Sequence, residues 1–207
     1  MPANQINIGI QNNSDSSQGI TARGGRQGEQ LVSELHGRYY EQAYRQNMFS
    51  GAAVGVTTTV GTATTYTGLV LTNPIGSGVN LVPNKLGLAF LVAFAAASAI
   101  GLMRGFSATT QVTQTTPVTP SNTLTGANSG KGLLASSATL PVTPTVVQII
   151  DAGLTGAITT APESPIGMVD LEGSIVIPPG GFLAIYTSTA SGAASMAASM
   201  QWEEVPV

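Results

Sequence analysis

The chain has no cysteine and very few charges. Of its 207 residues only 8% are Asp, Glu, Lys or Arg, against about 25% in an average globular protein. The absence of cysteine excludes disulfide bonds and thiolate metal ligands. Because the mean hydropathy is positive and the net charge is only −3, the composition is not that of a disordered chain. An uncharged polar surface associates readily, so we expect much of it to be buried against copies of the chain or against a partner.

The residue types that catalysis needs are also scarce. His36 is the only histidine, and no cysteine or carboxylate cluster lies at metal-ligand spacing from it. The serines have no other base, and paired carboxylates have few aromatic neighbours on which a sugar could stack. Residues 126–132 superficially resemble a phosphate-binding loop, but Gly132 replaces the required Ser or Thr. We therefore expect no enzyme activity, no metal, no cofactor and no small-molecule substrate.

The charges are unevenly distributed along the chain. Seven of the seventeen lie between Arg23 and Arg45, residues 46–150 carry only basic charges, and all six from Asp151 onward are acidic. Without a basic stripe, nucleic-acid binding is not expected. Facing basic and acidic patches are expected to help copies of the chain associate in register.

Residues 1–48 are predicted to form an N-terminal arm, and residues 49–207 a separate domain. The first 28 residues are rich in Asn, Gln, Ser and Gly, which predicts either a flexible tail or an arm that becomes ordered on a partner. No apolar core of a signal peptide is visible there. The next residues contain acid–base pairs at helical spacing, Glu34 with Arg38 and Glu41 with Arg45, although Gly37 disfavours a helix. A short helix and an extended docking segment are both compatible with this pattern.

Tyrosine and arginine are concentrated in the same segment. Both are favoured in the centres of protein interfaces, because each buries a large area and keeps a polar tip that can pair. The alternative is that the tyrosines pack on the chain's own domain. The candidate interface combines these side chains with two adjacent acids near the other end of the sequence: Arg38, Tyr39, Tyr40, Tyr44, Arg45, Glu203 and Glu204.

The clearest secondary-structure signal is an alternation in residues 194–202. Ala, Met and Trp occupy one parity and mainly Ser and Gln the other, which predicts a strand with one buried face. Upstream, the run Pro178-Pro179-Gly180-Gly181 predicts a type II turn, since Pro179 suits its first corner and Gly180 the positive φ of its second. This turn is predicted to close a hairpin between residues 175–177 and 182–186.

The uncharged run Leu86–Met103 is long enough for a membrane-spanning helix. However, large side chains share one parity and small side chains the other, which favours a hairpin of strands buried on both sides, and we expect no membrane contact. With the other runs of Val, Thr and Ile, about eight strands are predicted, separated by turns that contain Gly, Pro or Asn. The expected fold class is all-β, a jelly-roll-like β-sandwich with an extended or short-helical N-terminal arm.

Three stretches together resemble the small structural virion proteins of tailed bacteriophages. They are residues 34–45, residues 67–74 with Gly76-Ser77-Gly78, and Ile177-Pro-Pro-Gly180 with residues 202–206. The combination is most similar to capsid cement, or decoration, proteins, and it covers most of the chain from about Glu29 onward. The resemblance implies a jelly-roll-like sandwich that trimerises and binds the lattice of the major capsid protein on the virion surface.

Two other functions are compatible with the sequence. The first is a tail-fibre or head-fibre module that binds host-surface glycan, with Tyr186 and Trp202 as candidates for stacking on sugar rings. The second is a membrane-associated protein that uses residues 86–103. The expected partners under the leading hypothesis are the major capsid protein and further copies of the chain.

Overall fold

A computed structural model of the chain describes residues 37–90, 94, 96–153, 167–190 and 196–207. The chain divides into two compact units, residues 1–40 and residues 41–207, and nearly all the described residues belong to the second. The predicted N-terminal tail, the pair of Glu34 with Arg38, and His36 lie wholly or partly outside the described residues.

The described residues form one short helix and eleven strands. Their bounds are α1 Tyr40–Tyr44, β1 Met48–Val56, β2 Thr65–Thr72, β3 Val79–Phe90, β4 Ser98–Phe106, β5 Thr113–Val118, β6 Ser121–Asn122, β7 Leu133–Thr139, β8 Thr145–Gly153, β9 Met168–Asp170, β10 Gly181–Thr187 and β11 Met196–Pro206. Within the described part of the chain, no helix is long and apolar enough to cross a membrane.

The strands form two antiparallel sheets that pack face to face. The five-stranded sheet has the order β6-β1-β11-β3-β9, and the six-stranded sheet has the order β5-β7-β2-β10-β4-β8. Without β5, β6 and β7, four strands remain in each sheet, β1-β11-β3-β9 and β2-β10-β4-β8. Apart from the step from β4 to β8, each of these eight strands is followed by one in the opposite sheet, which is a jelly-roll arrangement. The predicted all-β, jelly-roll-like sandwich is therefore confirmed.

The hairpin predicted within Leu86–Met103 is wrong. Strand β3 pairs with β11 and β9, whereas β4 pairs with β10 and β8 in the other sheet. Leu86, Leu88 and Phe90 are buried, but Ala89 on the opposite face of β3 is exposed, so β3 is buried on one face and not on both. The small residues Gly87 and Ala89 lie on the outer face, which is the uncovered face of the five-stranded sheet.

The hairpin predicted around the Pro178–Gly181 turn is also wrong, although the turn itself is confirmed. The N–H of Gly181 donates to the carbonyl of Pro178 at 2.8 Å, and Gly180 has a φ of +88°, as a type II turn requires. Ile177 before the turn bridges to Leu81 of the five-stranded sheet, while β10 after it belongs to the six-stranded sheet. The turn therefore carries the chain between the two sheets.

Helix α1 is a single short turn with a defined end. The N–H of Asn47 donates to Gln42 and that of Gln46 donates to Ala43, both at 3.0 Å, and Gln46 has a φ of +64°. This is a Schellman motif, in which a residue in the left-handed region satisfies the last carbonyls of the helix. Of the two predicted alternatives, the structure shows the short helix.

Two groups of buried side chains stabilise the sandwich. The main core lies between the sheets and includes Phe49, Leu69, Leu71, Leu81, Leu86, Leu88, Phe90, Ile100, Leu102, Leu134, Leu183, Ile185, Met196, Met200 and Trp202. A second cluster contains Tyr66, Val70, Met103, Val112, Ala135, Ala138, Leu140, Phe182 and Ala184. Successive residues of β10 alternate between the two groups, so the second cluster lies on the outer face of the six-stranded sheet.

Candidate functional site

The predicted interface residues of the N-terminal segment lie on and beside α1. Tyr40 and Tyr44 are 45% and 65% exposed. Arg45 follows the helix, and its Nε lies 3.4 Å from Oε2 of Glu41, which confirms the predicted pair at helical spacing. Before the helix, the Arg38 guanidinium lies 5.5 Å from the centroid of the Tyr39 ring. These side chains give the segment both aromatic and cationic groups.

The segment that follows α1 meets the end of β11. The carbonyl of Asn47 accepts a hydrogen bond of 2.8 Å from the N–H of Glu204, and Met48 pairs with Glu203. The carbonyl of Gln46 also accepts from Nδ2 of Asn122 at 2.8 Å. The structure thus brings the end of the Tyr- and Arg-rich segment next to the two predicted acids, although 155 or more residues separate them in the sequence.

The two acids nevertheless have different environments. Glu204 is only 7% exposed and continues the buried face of β11, whereas Glu203 lies on the opposite face and is partly exposed. The Glu204 carboxylate accepts from the backbone N–H of Lys131 at 2.8 and 2.9 Å and from that of Gly132 at 2.8 Å. Nε1 of Trp202 lies 3.4 Å from the same carboxylate. Glu204 therefore binds its own chain, and the expectation that it lies on a docking surface is corrected by its burial.

The partner of Glu204 is the loop that superficially resembles a phosphate-binding loop. Two successive backbone N–H groups of this loop do bind an anion, but the anion is the chain's own carboxylate. A Cβ atom at Gly130 would clash with Oε1 of Glu204, and one at Gly132 would lie 2.9 Å from Nε1 of Trp202. The loop is therefore filled by β11, and its function is to hold the end of that strand.

The pKa of the Glu203 carboxyl group is shifted from its ordinary value. Its partial burial raises the pKa of the carboxyl above its ordinary value, because desolvation disfavours the charged form. Glu203 and the helix end are the parts of the predicted interface that reach the surface at this end of the five-stranded sheet. Their role in docking remains a prediction.

Two of the stretches that resemble phage proteins meet at Asn73, which is completely buried. Its Nδ2 donates to the carbonyls of Val79 at 2.7 Å and Ile177 at 2.8 Å, and its Oδ1 accepts from Oγ of Ser77 at 2.6 Å. Its backbone also bonds to Gly180 and Gly181. These contacts connect two chain crossings between the sheets, so Asn73 has a structural role that the spacing of the motif did not indicate.

The glycan-binding alternative is not supported at its main aromatic residue. Trp202 is 0% exposed and stacks on Phe49 with a centroid distance of 6.2 Å. A sugar ring cannot reach this face, so the expectation that Trp202 is a stacking platform is wrong. Tyr186 is partly buried beside the second cluster.

Two surface grooves lie outside the predicted interface. A groove of about 410 Å³, which we call the lateral groove, lies beside β4 and β8 and is lined by Arg104, Phe106, Thr145, Val147, Val176 and Pro178, among others. A second groove, of about 480 Å³, lies on the outer face of the five-stranded sheet over Ser50, Ala52, Gly87 and Ser199. Among the residues that the structure describes, no group of three or more His, Cys, Asp or Glu side chains could hold a metal ion.

Comparison with protein-family models, curated proteins and solved structures found no match to this chain.

Proposed function

We propose that this protein is a capsid cement, or decoration, protein of a tailed phage, which forms homo-oligomers and binds the lattice of the major capsid protein. The observation that carries the proposal is the segment around α1, where Tyr40, Tyr44 and Arg45 present exposed aromatic and cationic side chains. Such side chains are typical of interface hot spots, because a large rigid area is buried at low cost in side-chain entropy.

The fold, the burial of Trp202 and the low content of charged residues bear on which kind of binding role the protein has. Jelly rolls occur in viral capsid proteins and also in lectins, so the fold by itself leaves both functions open. The burial of Trp202 weighs against the lectin, since it removes the main aromatic platform. A surface of so few charges is suited to permanent association, because little charge must be desolvated when it is covered.

In this proposal the segment of residues 38–45 docks on a capsid subunit, and the sandwich covers the lattice at the virion surface. The residues directly after this segment are held to the sandwich by the hydrogen bonds of Gln46 and Asn47 to Asn122 and Glu204. A docking segment whose end is held in place loses less entropy on binding than a free one. The resemblance to cement proteins adds the expectation that three copies associate.

Binding to capsids assembled from the major capsid protein of the same genome tests the proposal. The wild-type protein is expected to co-sediment with these capsids in saturable amounts. The triple variant Tyr40→Ala, Tyr44→Ala, Arg45→Ala is expected to bind at least about 30-fold more weakly, which corresponds to one lost hot spot of about 2 kcal/mol.

A matched control is Val60→Ala with Met168→Ala, because both side chains are more than half exposed and lie outside the helix and its neighbours. This variant is expected to bind capsids as the wild type does. Absence of wild-type binding would exclude the cement function, and equal binding by the triple variant would exclude docking through α1.

A further inference from the structure

The four sheet edges in the described part of the chain differ in how far they are protected. Edges β6 and β9 are two and three residues long, and β5 contains Pro117 and two irregularities in its pairing with β7. Strand β8 is nine residues long, contains no proline, and carries Asp151 as its one charged residue, although its pairing with β4 also has two irregularities. Short strands, proline and charge are the features that keep a sheet edge from pairing with another strand. Of these edges, β8 is the one best suited to accept a further strand.

Exposed apolar side chains surround this edge. Ile149 is 57% exposed and pairs with Gly101 on one face of the sheet. Val147 is 40% exposed and lines the lateral groove together with Phe106 and Val176, which are 55% and 50% exposed. An added strand with one apolar face would therefore find a sheet edge next to which the structure describes no further strand, and an apolar groove of about 410 Å³.

A segment with this pattern is present in the N-terminal arm, outside the described residues. Residues 5–11 read Gln-Ile-Asn-Ile-Gly-Ile-Gln, so that Ile6, Ile8 and Ile10 occupy alternate positions. This period of two is the pattern of a strand with one apolar face. Twenty-six residues separate Ile10 from Gly37, and they can span up to about 90 Å when extended.

We propose that residues 5–11 of a second copy of the chain add to the edge of β8 as an extra strand, with the isoleucines over the lateral groove. The first strand of the sandwich is β1, which packs near β2, β5 and β7. These contacts place β1 toward the edge of the sandwich that is opposite to β8. An arm that leaves at one edge and binds the opposite edge of the next copy makes a head-to-tail contact, which can close into a ring. Main-chain hydrogen bonds supply affinity, and the isoleucine positions supply the register.

Disulfide trapping tests the contact, and the cysteine-free chain makes every introduced cysteine unambiguous. Ile6→Cys, Ile8→Cys and Ile10→Cys are each combined with Val147→Cys in the full-length protein. A disulfide needs Cα atoms within about 7 Å, so the pair in register is expected to form reducible dimers and larger species on a denaturing gel. The control pairs the same arm cysteines with Val54→Cys, which is 78% exposed on β1, and is expected to give at least about tenfold less cross-linking.

The outcomes of this experiment separate the alternatives. Disulfides formed only within one chain would overturn the exchange between copies. Failure of all three pairs to cross-link, or equal cross-linking to Val54→Cys, would overturn the assignment of the arm to β8.

Peptide binding provides a test that does not depend on introduced cysteines. A variant that lacks residues 1–12 is expected to bind a synthetic peptide of residues 2–12 at one site per chain. A peptide with all three isoleucines changed to asparagine is expected to bind at least about tenfold more weakly. No saturable binding to the shortened variant, with its thermal unfolding shown to be cooperative, would exclude the proposal. Both tests use the purified protein alone, so their failure leaves the capsid-binding proposal intact.

Discussion

The two sheets of the sandwich differ in the number of faces that are covered. In β11 of the five-stranded sheet, alternate residues from Met196 to Trp202 are buried, and the residues between them are partly exposed. In β10 of the six-stranded sheet, five consecutive residues from Gly181 to Ile185 are buried. The first pattern is that of a sheet with one solvated face, and the second that of a sheet packed on both sides.

The second covered face is provided by the chain between β4 and β8. Val112 precedes β5 and Leu140 follows β7, and both are buried in the second cluster. Val142, in the same connection, is in position to contact a Cβ atom at Gly105, where the Phe182 ring also lies close. The long connection therefore acts as a third layer, while the outer face of the five-stranded sheet carries small residues such as Ala89 and Ser199.

Among the substitutions that test this difference between the sheets, Phe182→Ala is expected to change the free energy of unfolding most. Phe182 is 1% exposed in the second cluster, so its truncation should lower the free energy of unfolding by about 3–5 kcal/mol, as in a true core. Urea unfolding measures this change. The control is Gln201→Ala on the outer face of the five-stranded sheet, which should cost no more than about 0.5 kcal/mol. A loss below about 1 kcal/mol for Phe182→Ala would mean that the third layer is not a core.

An intermediate effect is expected from Glu204→Gln, at the end of the inner face of the five-stranded sheet. The amide group would replace one acceptor oxygen by a donor that faces the N–H groups of Lys131 and Gly132. Loss of hydrogen bonds to a charged group costs about 1.5–3 kcal/mol, so the free energy of unfolding should fall by that amount. Unfolding in urea at pH 7 measures the difference, and unchanged stability would show that the carboxylate does not hold the loop.

The smallest effect is expected from Glu203→Gln, on the outer face of the same strand. Burial raises the pKa of Glu203, so the folded state binds its proton more tightly than the unfolded state does. Ionisation of Glu203 therefore opposes folding above the raised pKa, and this cost disappears as the pH falls below the ordinary carboxyl range. The variant should be more stable than the wild type at pH 7, by no more than about 0.5 kcal/mol, and equal to it near pH 3. A lower thermal midpoint for the variant at pH 7 would contradict this assignment.

Local patterns in the sequence predicted much of the fold. The alternation in residues 194–202 predicted β11 and its buried face, of which Met196, Ala198, Met200 and Trp202 are described and buried. The same parity continues to Glu204, so the burial of this acid could have been inferred from the sequence. Its partner could not, because the loop of residues 130–132 lies more than 70 residues away in the chain.

Of the candidate interface, the exposed tyrosines and the pair of Glu41 with Arg45 agree with their helical spacing. The proximity of the helix end to Glu203 depends on the pairing of β1 with β11, which no local pattern reports. The lateral groove was not predicted either, since its lining comes from β4, β8 and the segment before β10. Isolated residues such as Phe106 and Val176 carry no sequence signal until the fold assembles them.

The sequence by itself determined where many of the strands lie, which face of β11 is buried, which parity of β3 carries the large side chains, and where the turn at Pro179 and Gly180 occurs. These features depend on neighbouring residues, because side-chain alternation and the φ preferences of Pro and Gly are local. Only the tertiary structure decided which strands pair and how many faces of each sheet are covered. In a jelly roll most consecutive strands enter opposite sheets, so the partner of each strand is set by packing between distant segments, such as Leu183 with Arg104.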